Sequence, residues 1–230
     1  MLLQCKNIFA SYGKKEVLKD AYLNIEKGFI VSLIGPNGSG KSTFLKVISG
    51  FLKIKKGNII FNGKDITNLP PHKRVNLGIG YLFQGGSVFE NLSVKENLRL
   101  SNEKFDLVFE LFPELERYTE SRAGLLSGGL KQMLSISLIL LKEPELLLLD
   151  EPSAGLSPAL VEKLLQKIKE INKNFGKTIL LVEQNIMQAL KISDYVYLMS
   201  AGKIIKEIDD PLTFLETEKF EKIFFETWFK

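Results

Sequence analysis

Residues 35–42, GPNGSGKS, have the spacing G-x-x-x-x-G-K-S that is typical of a loop holding phosphate groups. Glycines at these positions let the backbone curl so that N–H groups point at phosphate oxygens. Lys41 would reach the β- and γ-phosphates, and the Ser42 hydroxyl would bind Mg²⁺. The preceding VSLI is strand-like and the following FLKVI is helix-like, which is the context that such a loop requires. The ATP or GTP site predicted here comprises Gly35, Pro36, Asn37, Gly38, Ser39, Gly40, Lys41, Ser42 and Thr43.

Residues 146–152, LLLLDEP, supply two carboxylates directly after an apolar strand. Phosphoryl transfer needs a carboxylate for Mg²⁺ and a group that orients the attacking water. Because ligands bind at the carboxyl ends of the strands of a parallel sheet, we expect Asp150 to lie beside the phosphate loop. Asp150 is predicted to hold Mg²⁺ through water, and Glu151 is predicted to be the general base or the group that positions water. The alternative is a pair of carboxylates that caps the turn before Pro152.

Residues 126–132, LSGGLKQ, form a second candidate anion site about ninety residues after the first. Ser127, Gly128 and Gly129 precede the apolar stretch MLSISLILL, a pattern typical of a helix N-terminus that receives an anion. A plain helix cap is the alternative interpretation. Two such sites in one chain raise the question of what the second one contacts.

Strand-like and helix-like segments alternate around these motifs. The strand-like segments are LLQCKNIFAS, VLKDAYLNI, FIVSLIG, NIIFNG, GIGYLFQ, ELLLLD, TILLVEQ, YVYLMS and KIIKEI. Helices are predicted at 103–118, with an interruption at Pro113, and at 129–142, 158–174 and 185–191. Strands and helices that alternate with buried runs favour an α/β fold with a mostly parallel sheet covered on both faces. The stretch from about 85 to 140 has helical patterns only, so we expect a helical lobe inserted into the α/β core.

The composition favours a cytoplasmic protein that does not cross a membrane. The 230 residues carry 31 basic and 27 acidic side chains, a net charge of +4, whereas a nucleic-acid surface would need a stronger basic stripe. The single cysteine permits no internal disulfide, which fits a reducing compartment. No apolar run approaches the roughly 18 residues of a membrane helix, and the first residues lack a signal-peptide pattern.

The segments GPNGSGKST, YLFQGG, LSGGLKQ and LLLLDEP, in this order, resemble the nucleotide-binding subunits of ATP-binding cassette (ABC) transporters. The resemblance covers almost the whole chain, and LSGG followed by a helix and LLLLDEP is highly specific. It implies a P-loop NTPase core with an antiparallel β subdomain and the inserted helical lobe, all in one domain. The core would span about 1–84 and 143–230, and the helical subdomain about 85–142.

In that family two subunits pack head to tail, which offers an answer for the second anion site. Ser127, Gly128 and Gly129 of one subunit would cover the γ-phosphate held by the phosphate loop of the other. The resemblance therefore implies ATP and Mg²⁺ as cofactors and a second ATP-binding subunit as a partner, either a copy of this chain or a sister chain.

Three further residues are assigned by the resemblance, position by position. Tyr12 resembles the aromatic residue that stacks on adenine, with ordinary packing as the alternative. Gln84 resembles the glutamine that contacts Mg²⁺ and the attacking water, and Gln184 stands where many members have a histidine that contacts the γ-phosphate. The predicted catalytic set is Glu151, Gln84, Lys41 and Gln184. The predicted metal ligands are Ser42, Gln84 and Asp150.

Two more departures from the family pattern accompany Gln184. Leu130 stands where glutamine is common, and Ser157 where many members have an aspartate that helps the two sites to communicate. We expect hydrolysis to persist with Glu151 as the main catalytic group. The segments LLVEQN, PSAGLSP and FPELERY resemble one of the two ATPases of branched-chain amino-acid importers, whereas IGYLFQGGSVFENLSV also resembles the ATPase of lipopolysaccharide export.

The resemblance further implies transmembrane permease subunits, a position on the inner face of the cell membrane through those partners, and no nucleic-acid ligand. In the stretch 86–94, Val88, Phe89 and Leu92 would line a groove for a permease helix or would pack in the core. An ABC ATPase acting on DNA or the ribosome is a second hypothesis, but the chain has neither a long coiled-coil insertion nor a second cassette. A weakly hydrolysing, ATP-gated interaction module is a third.

The last residues, 214–229, are apolar at helical spacing through Phe220, Ile223, Phe224 and Trp228. We expect this segment to pack on its own domain, with dimer or partner contact as the alternative.

Overall fold

The structure is a computed structural model that describes residues 1–103 and 105–215. Within these ranges the strands are β1 (Leu3–Tyr12), β2 (Lys15–Ile25), β3 (Ile30–Ile34), β4 (Ile54–Phe61), β5 (Lys64–Asp65), β6 (Ile79–Leu82), β7 (Leu146–Asp150), β8 (Thr178–Glu183), β9 (Tyr195–Ser200) and β10 (Lys203–Ile208). The helices are α1 (Lys41–Ile48), α2 (Pro71–Asn76), α3 (Val94–Ser101), α4 (Asp106–Leu111), α5 (Pro113–Glu116), α6 (Gly128–Leu140), α7 (Pro158–Phe175), α8 (Ile186–Ile192) and α9 (Pro211–Leu215). A short 3-10 turn at Ala123–Leu125 precedes α6.

The larger sheet has six strands in the order β10-β9-β3-β8-β7-β6. Its neighbouring pairs are parallel except for the β9–β10 hairpin, so the mostly parallel sheet is confirmed. Strands β7 and β8 are buried along their whole length. In β7, Leu146 and Leu148 join one hydrophobic cluster and Leu147 and Leu149 join the other. Successive side chains of one strand therefore hold together the two layers on either face of the sheet.

The smaller sheet is antiparallel, with the order β2-β1-β4-β5, which confirms the antiparallel part of the predicted fold. The cluster between the two sheets includes Phe44 of α1, Phe61 of β4 and Leu148 of β7, none more than 1% exposed. This packing fixes α1, the helix that follows the phosphate loop, between both sheets.

Helices α3 to α6 follow β6 and share the second hydrophobic cluster with α7. The predicted interruption at Pro113 is confirmed, because α4 ends at Leu111 and α5 begins at the proline. Helix α3 was not predicted, although its capping box is visible in the sequence: the Glu96 N–H donates to Ser93 Oγ at 3.1 Å, and the Ser93 N–H donates to Glu96 Oε2 at 2.7 Å. The subdomain boundaries near 85 and 142 stay a prediction.

Arg74 of α2 forms hydrogen bonds with the C-terminal end of α1. Its Nη1 donates to the carbonyl oxygens of Val47 and Ile48 at 2.8 and 2.7 Å, and both residues belong to the last turn of α1. Its Nε and Nη2 donate to the carbonyl oxygens of Leu69 and Thr67 at 2.8 and 2.9 Å. A guanidinium at this end of a helix satisfies carbonyls that lack intrahelical partners and carries the charge that the helix dipole favours there. Only 3% of the Arg74 side chain is exposed.

In the ranges that the structure describes, each helix is too short or too polar to cross a bilayer. The predicted apolar face that includes Phe220, Ile223, Phe224 and Trp228 lies outside the described residues.

Candidate functional site

The phosphate loop connects β3 to α1 and adopts the curled backbone predicted for it. Gly38 and Gly40 have φ angles of 79° and 112°, in the left-handed region that side chains disfavour. A Cβ at Gly35 would lie 2.2 Å from the carbonyl oxygen of Met199, so a side chain at Gly35 would displace the loop from β9. The Ser39 hydroxyl is buried and has no hydrogen-bond partner among the described residues. An orphan hydroxyl in a loop of this shape fits a phosphate oxygen as its missing partner.

Lys41 folds back over the same loop. Its Nζ donates to the carbonyl oxygens of Gly35 at 2.8 Å and Pro36 at 3.1 Å. Burial lowers the pKa of Lys41, and the charges of Glu151 and Asp150 oppose that shift. The ammonium group thus lies among neutral carbonyls with two carboxylates nearby, where anionic phosphate oxygens would be stronger acceptors.

Asp150 lies beside the phosphate loop, as predicted from the strand order. The Ser42 hydroxyl donates to Asp150 Oδ1 at 2.9 Å, and the Tyr81 hydroxyl donates to Asp150 Oδ2 at 3.0 Å. Burial raises the pKa of Asp150, and the hydrogen bonds from Ser42 and Tyr81 oppose the rise. A hydroxyl and a carboxylate held together are the hard oxygen donors that Mg²⁺ prefers, so this pair fits the predicted ion.

Glu151 is 6% exposed and receives hydrogen bonds from two glutamines. Gln84 Nε2 and Gln184 Nε2 both donate to Glu151 Oε2 at 2.7 Å. The Glu151 N–H donates to the carbonyl oxygen of Val182 at 2.9 Å, which extends the pairing of β7 with β8 by one residue. With a φ of 48°, Glu151 has a left-handed backbone that is uncommon outside glycine. The structure therefore brings three of the four predicted catalytic side chains into one hydrogen-bonded group.

These side chains border a cleft of about 590 Å³, whose lining also includes Tyr12 and Thr43. Tyr12 is 47% exposed at the end of β1, and an exposed aromatic ring in a cleft lining is suited to contact with a planar ligand. Lys15 and Lys19 of β2 line the cleft as well, although short basic clusters are usually solvated surface. Side chains alternate between the two faces of a strand, so residues 15 and 19 lie on the same face of β2. This spacing is the sequence signal that could have identified the two lysines as a pair.

Ser127, Gly128 and Gly129 are absent from the lining of this cleft, in the part of the chain that the structure describes. Ser127 is the N-cap of α6, and the Leu130 N–H approaches its Oγ at 3.4 Å. Leu130 packs against the hydrophobic cluster of α3 to α7. Within one chain, the second candidate anion site therefore lies apart from the first.

In the stretch after Gln84, the three predicted apolar residues differ in exposure. Val88 packs against the cluster of the helical lobe, Leu92 is half-buried, and Phe89 is 59% exposed.

Two residues next to the carboxylates were not predicted from the sequence. Tyr81 of β6 pairs with Leu148 of β7, the strand that ends at Asp150, and the sequence signal for Tyr81 was its position in a strand next to the one that carries the carboxylates. Glu183 precedes Gln184, but its direction depends on long-range packing, which the sequence alone does not display.

A family model described as ABC transporter matches residues 18–154, more than half of the chain. The chain belongs to the ABC transporter family. It is an ATP-binding cassette that binds nucleotide and hydrolyses ATP.

Curated relatives match over nearly their full length. The chain is 41% identical to a probable branched-chain amino acid transport ATP-binding protein, LivF, of Archaeoglobus fulgidus, over 96% of this chain and 98% of the relative. It is 38% identical to the high-affinity branched-chain amino acid transport ATP-binding protein BraG of Pseudomonas aeruginosa, over 89% and 91%. It is 32% identical to the lipopolysaccharide export system ATP-binding protein LptB of Haemophilus influenzae, over 100% and 99%.

Solved structures of cassettes share the fold. A nucleotide-free cassette from an ABC transporter is 29% identical and superposes with a TM-score of 0.84 over 97% of this chain and 98% of the other. A dimeric cassette in a post-hydrolysis state, bound to ADP and phosphate, is 26% identical with a TM-score of 0.80 over 90% and 98%. Cassettes of this family thus occur as dimers with nucleotide bound.

Proposed function

We propose that this cassette powers the import of branched-chain amino acids through separate permease subunits. The observation that carries the proposal is the high identity, over nearly the full length of both chains, to a relative named for branched-chain amino acid transport. The segment LLVEQN, with glutamine in place of the common histidine, and the serine at position 157 fit the same group.

In the proposed cycle two cassettes close head to tail around ATP. The separation of the signature segment, Ser127–Gly129, from the cleft within one chain supports this arrangement, because the N-terminus of α6 then remains available for a partner's nucleotide. Tyr12 would stack on adenine, and Lys41 and the loop N–H groups would hold the phosphates. Ser42, Asp150 and Gln84 would hold Mg²⁺, which neutralises charge on the phosphates when it is bound.

Glu151 would orient the attacking water and accept its proton. Gln84 and Gln184 both donate to Oε2, which would leave Oε1 to take the water. Gln184 would keep Glu151 in place and would donate to the γ-phosphate region without carrying charge. The exposed Phe89 would contact the permease, which would hold the cassette at the inner face of the membrane.

The proposal is tested in proteoliposomes that contain the cassette with the permease subunits that co-purify with it and a cognate binding protein. We expect ATP-dependent accumulation of radiolabelled leucine, isoleucine and valine, lost in Glu151→Gln. Retained ATPase activity without uptake of any of the three above the Glu151→Gln background would refute the cargo and leave the ATPase intact.

Lipopolysaccharide export is the second candidate, because the LptB relative is matched along its whole length. The two candidates differ in direction and in substrate class. Stimulation of ATPase activity by a binding protein loaded with leucine favours import, whereas stimulation by lipopolysaccharide in the bilayer favours export.

A further inference from the structure

Glu183, the last residue of β8, is a buried carboxylate that none of the proposed steps uses. It is 2% exposed. Burial raises the pKa of this carboxyl, while hydrogen bonds from Ser153 and from the Gln184 N–H oppose the rise. A buried ionisable group is costly unless partners compensate for it, so the partners of Glu183 indicate what it holds.

Both oxygens of Glu183 engage one residue, Ser153. The Ser153 hydroxyl donates to Glu183 Oε2 at 2.7 Å, and the Ser153 N–H donates to Glu183 Oε1 at 3.2 Å. Ser153 follows Glu151 by two residues and is itself 9% exposed. The Glu183 carboxylate, at the end of β8, therefore holds the loop that follows β7 by two hydrogen bonds.

This loop is a tight one. The Ala154 N–H donates to the carbonyl oxygen of Glu151 at 3.1 Å, and the Leu156 N–H donates to the carbonyl oxygen of Ser153 at 3.1 Å. A left-handed glutamate costs about 1 kcal/mol or more and persists only where neighbours determine its conformation. The two hydrogen bonds between Glu183 and Ser153 help to determine the backbone conformation of Glu151, because they fix the chain two residues after it.

The other end of the loop lies against the signature segment. A Cβ at Gly128 would lie 3.8 Å from Leu156 Cδ2, and a Cβ at Gly129 would lie 3.2 Å from Leu160 Cδ1. Glu183 is thus connected through one short loop to the catalytic glutamate on one side and to the start of α6 on the other.

We propose that Glu183 is a positioning residue. Through its hydrogen bonds to Ser153 it fixes the position of Glu151 in its own site. The same bonds fix the loop that packs against Gly128 and Gly129. It does not touch nucleotide and acts through Ser153. This role rests on ATP hydrolysis and is independent of the cargo proposed above, so that failure of amino-acid uptake would leave it standing.

The test compares full-length Glu183→Gln, Ser153→Ala and the double variant with the unmodified protein in a steady-state Mg-ATPase assay. Glutamine keeps the shape of Glu183 but provides a single oxygen for the two Ser153 donors. We expect kcat to fall about tenfold or more in each single variant, with KM for ATP within about twofold, because misplacement of a reacting group affects the transition state more than binding. We expect the double variant to resemble Glu183→Gln, since both changes break one contact.

Ser193→Ala is the matched control. It removes another buried hydroxyl, whose Oγ lies 2.6 Å from Ser32 Oγ of β3; neither serine lines the cleft, so this variant is expected to keep kcat. If Glu183→Gln does not fold, Ser153→Ala still decides the matter. A lowered Tm with unchanged kcat in Ser153→Ala, a rise in KM alone, or additive losses in the double variant would each overturn the proposal.

Discussion

Arg74 makes the sharpest test of how the phosphate loop is supported. Replacing it with methionine keeps most of the buried volume but removes four donors from the carbonyl oxygens of Val47, Ile48, Leu69 and Thr67. The Gly50 N–H still donates to the Val47 oxygen at 3.2 Å, so that carbonyl keeps one partner. The carbonyl oxygens of Ile48, Leu69 and Thr67 lose a charge-assisted hydrogen bond beside a buried side chain.

A net loss of about 1 to 1.5 kcal/mol for each of three carbonyls gives a destabilisation of roughly 3 to 5 kcal/mol. For a chain of this size that corresponds to a fall in Tm of roughly 10 °C. We also expect the KM for ATP to rise, because the C-terminal end of α1 would loosen behind the phosphate loop. Arg74→Lys should recover little, since an ammonium group lacks the planar fork that reaches all four oxygens.

The assays are thermal and urea unfolding, with Lys73→Met as the control. Lys73 is the exposed neighbour of Arg74 in α2, and its replacement removes the same charge without the four contacts. A Tm of Arg74→Met within about 2 °C of the Lys73→Met value would refute the reasoning, because the contacts would then contribute almost nothing.

Four further outcomes follow from the site. Glu151→Gln should lower kcat by about 100-fold or more while nucleotide binding persists, as measured by phosphate release and by titration with a fluorescent ATP analogue; unchanged turnover would remove Glu151 from the mechanism. Tyr12→Ala should weaken ATP binding by about tenfold and Tyr12→Phe should not, and equal affinities would argue against stacking. Gly35→Ala should abolish nucleotide binding, because the new Cβ would lie 2.2 Å from the Met199 carbonyl oxygen, and wild-type affinity would contradict this. Burial raises the pKa of Glu183 above its ordinary value of 4.5, so this carboxyl favours folding most when it is protonated in both states, below that value. Its contribution to the free energy of unfolding is lost as pH rises through the folded-state pKa. In urea unfolding from about pH 4 to 7, Glu183→Gln should therefore show a smaller decline of stability with pH than the unmodified protein, and an equal decline would contradict this.

Local motifs predicted the shape of the phosphate loop and the position of Asp150 beside it, for a physical reason. A strand, a glycine-rich turn and a helix start are determined by neighbouring residues, and the parallel arrangement then brings the ends of β3 and β7 together. The sequence therefore predicted Asp150 beside the phosphate loop, where the Ser42 hydroxyl donates to it. Their roles with Mg²⁺ stay predictions.

The contacts that support these groups were not predictable in the same way. Glu183 and Ser153 are 30 residues apart, and Arg74 and Val47 are 27 apart, so no short pattern links them. A buried arginine or glutamate also looks like a surface residue in a sequence, because both types are usually exposed. The two amides on Glu151 depend on where β6 and β8 end relative to β7, which only the packed sheet determines.

The two amide bonds to Glu151 Oε2 have a mechanical consequence. Gln84 follows β6 and Gln184 follows β8, the two strands that flank β7, so a single oxygen atom links the ends of three neighbouring strands. A displacement at the end of either flanking strand is therefore transmitted directly to the carboxylate between them.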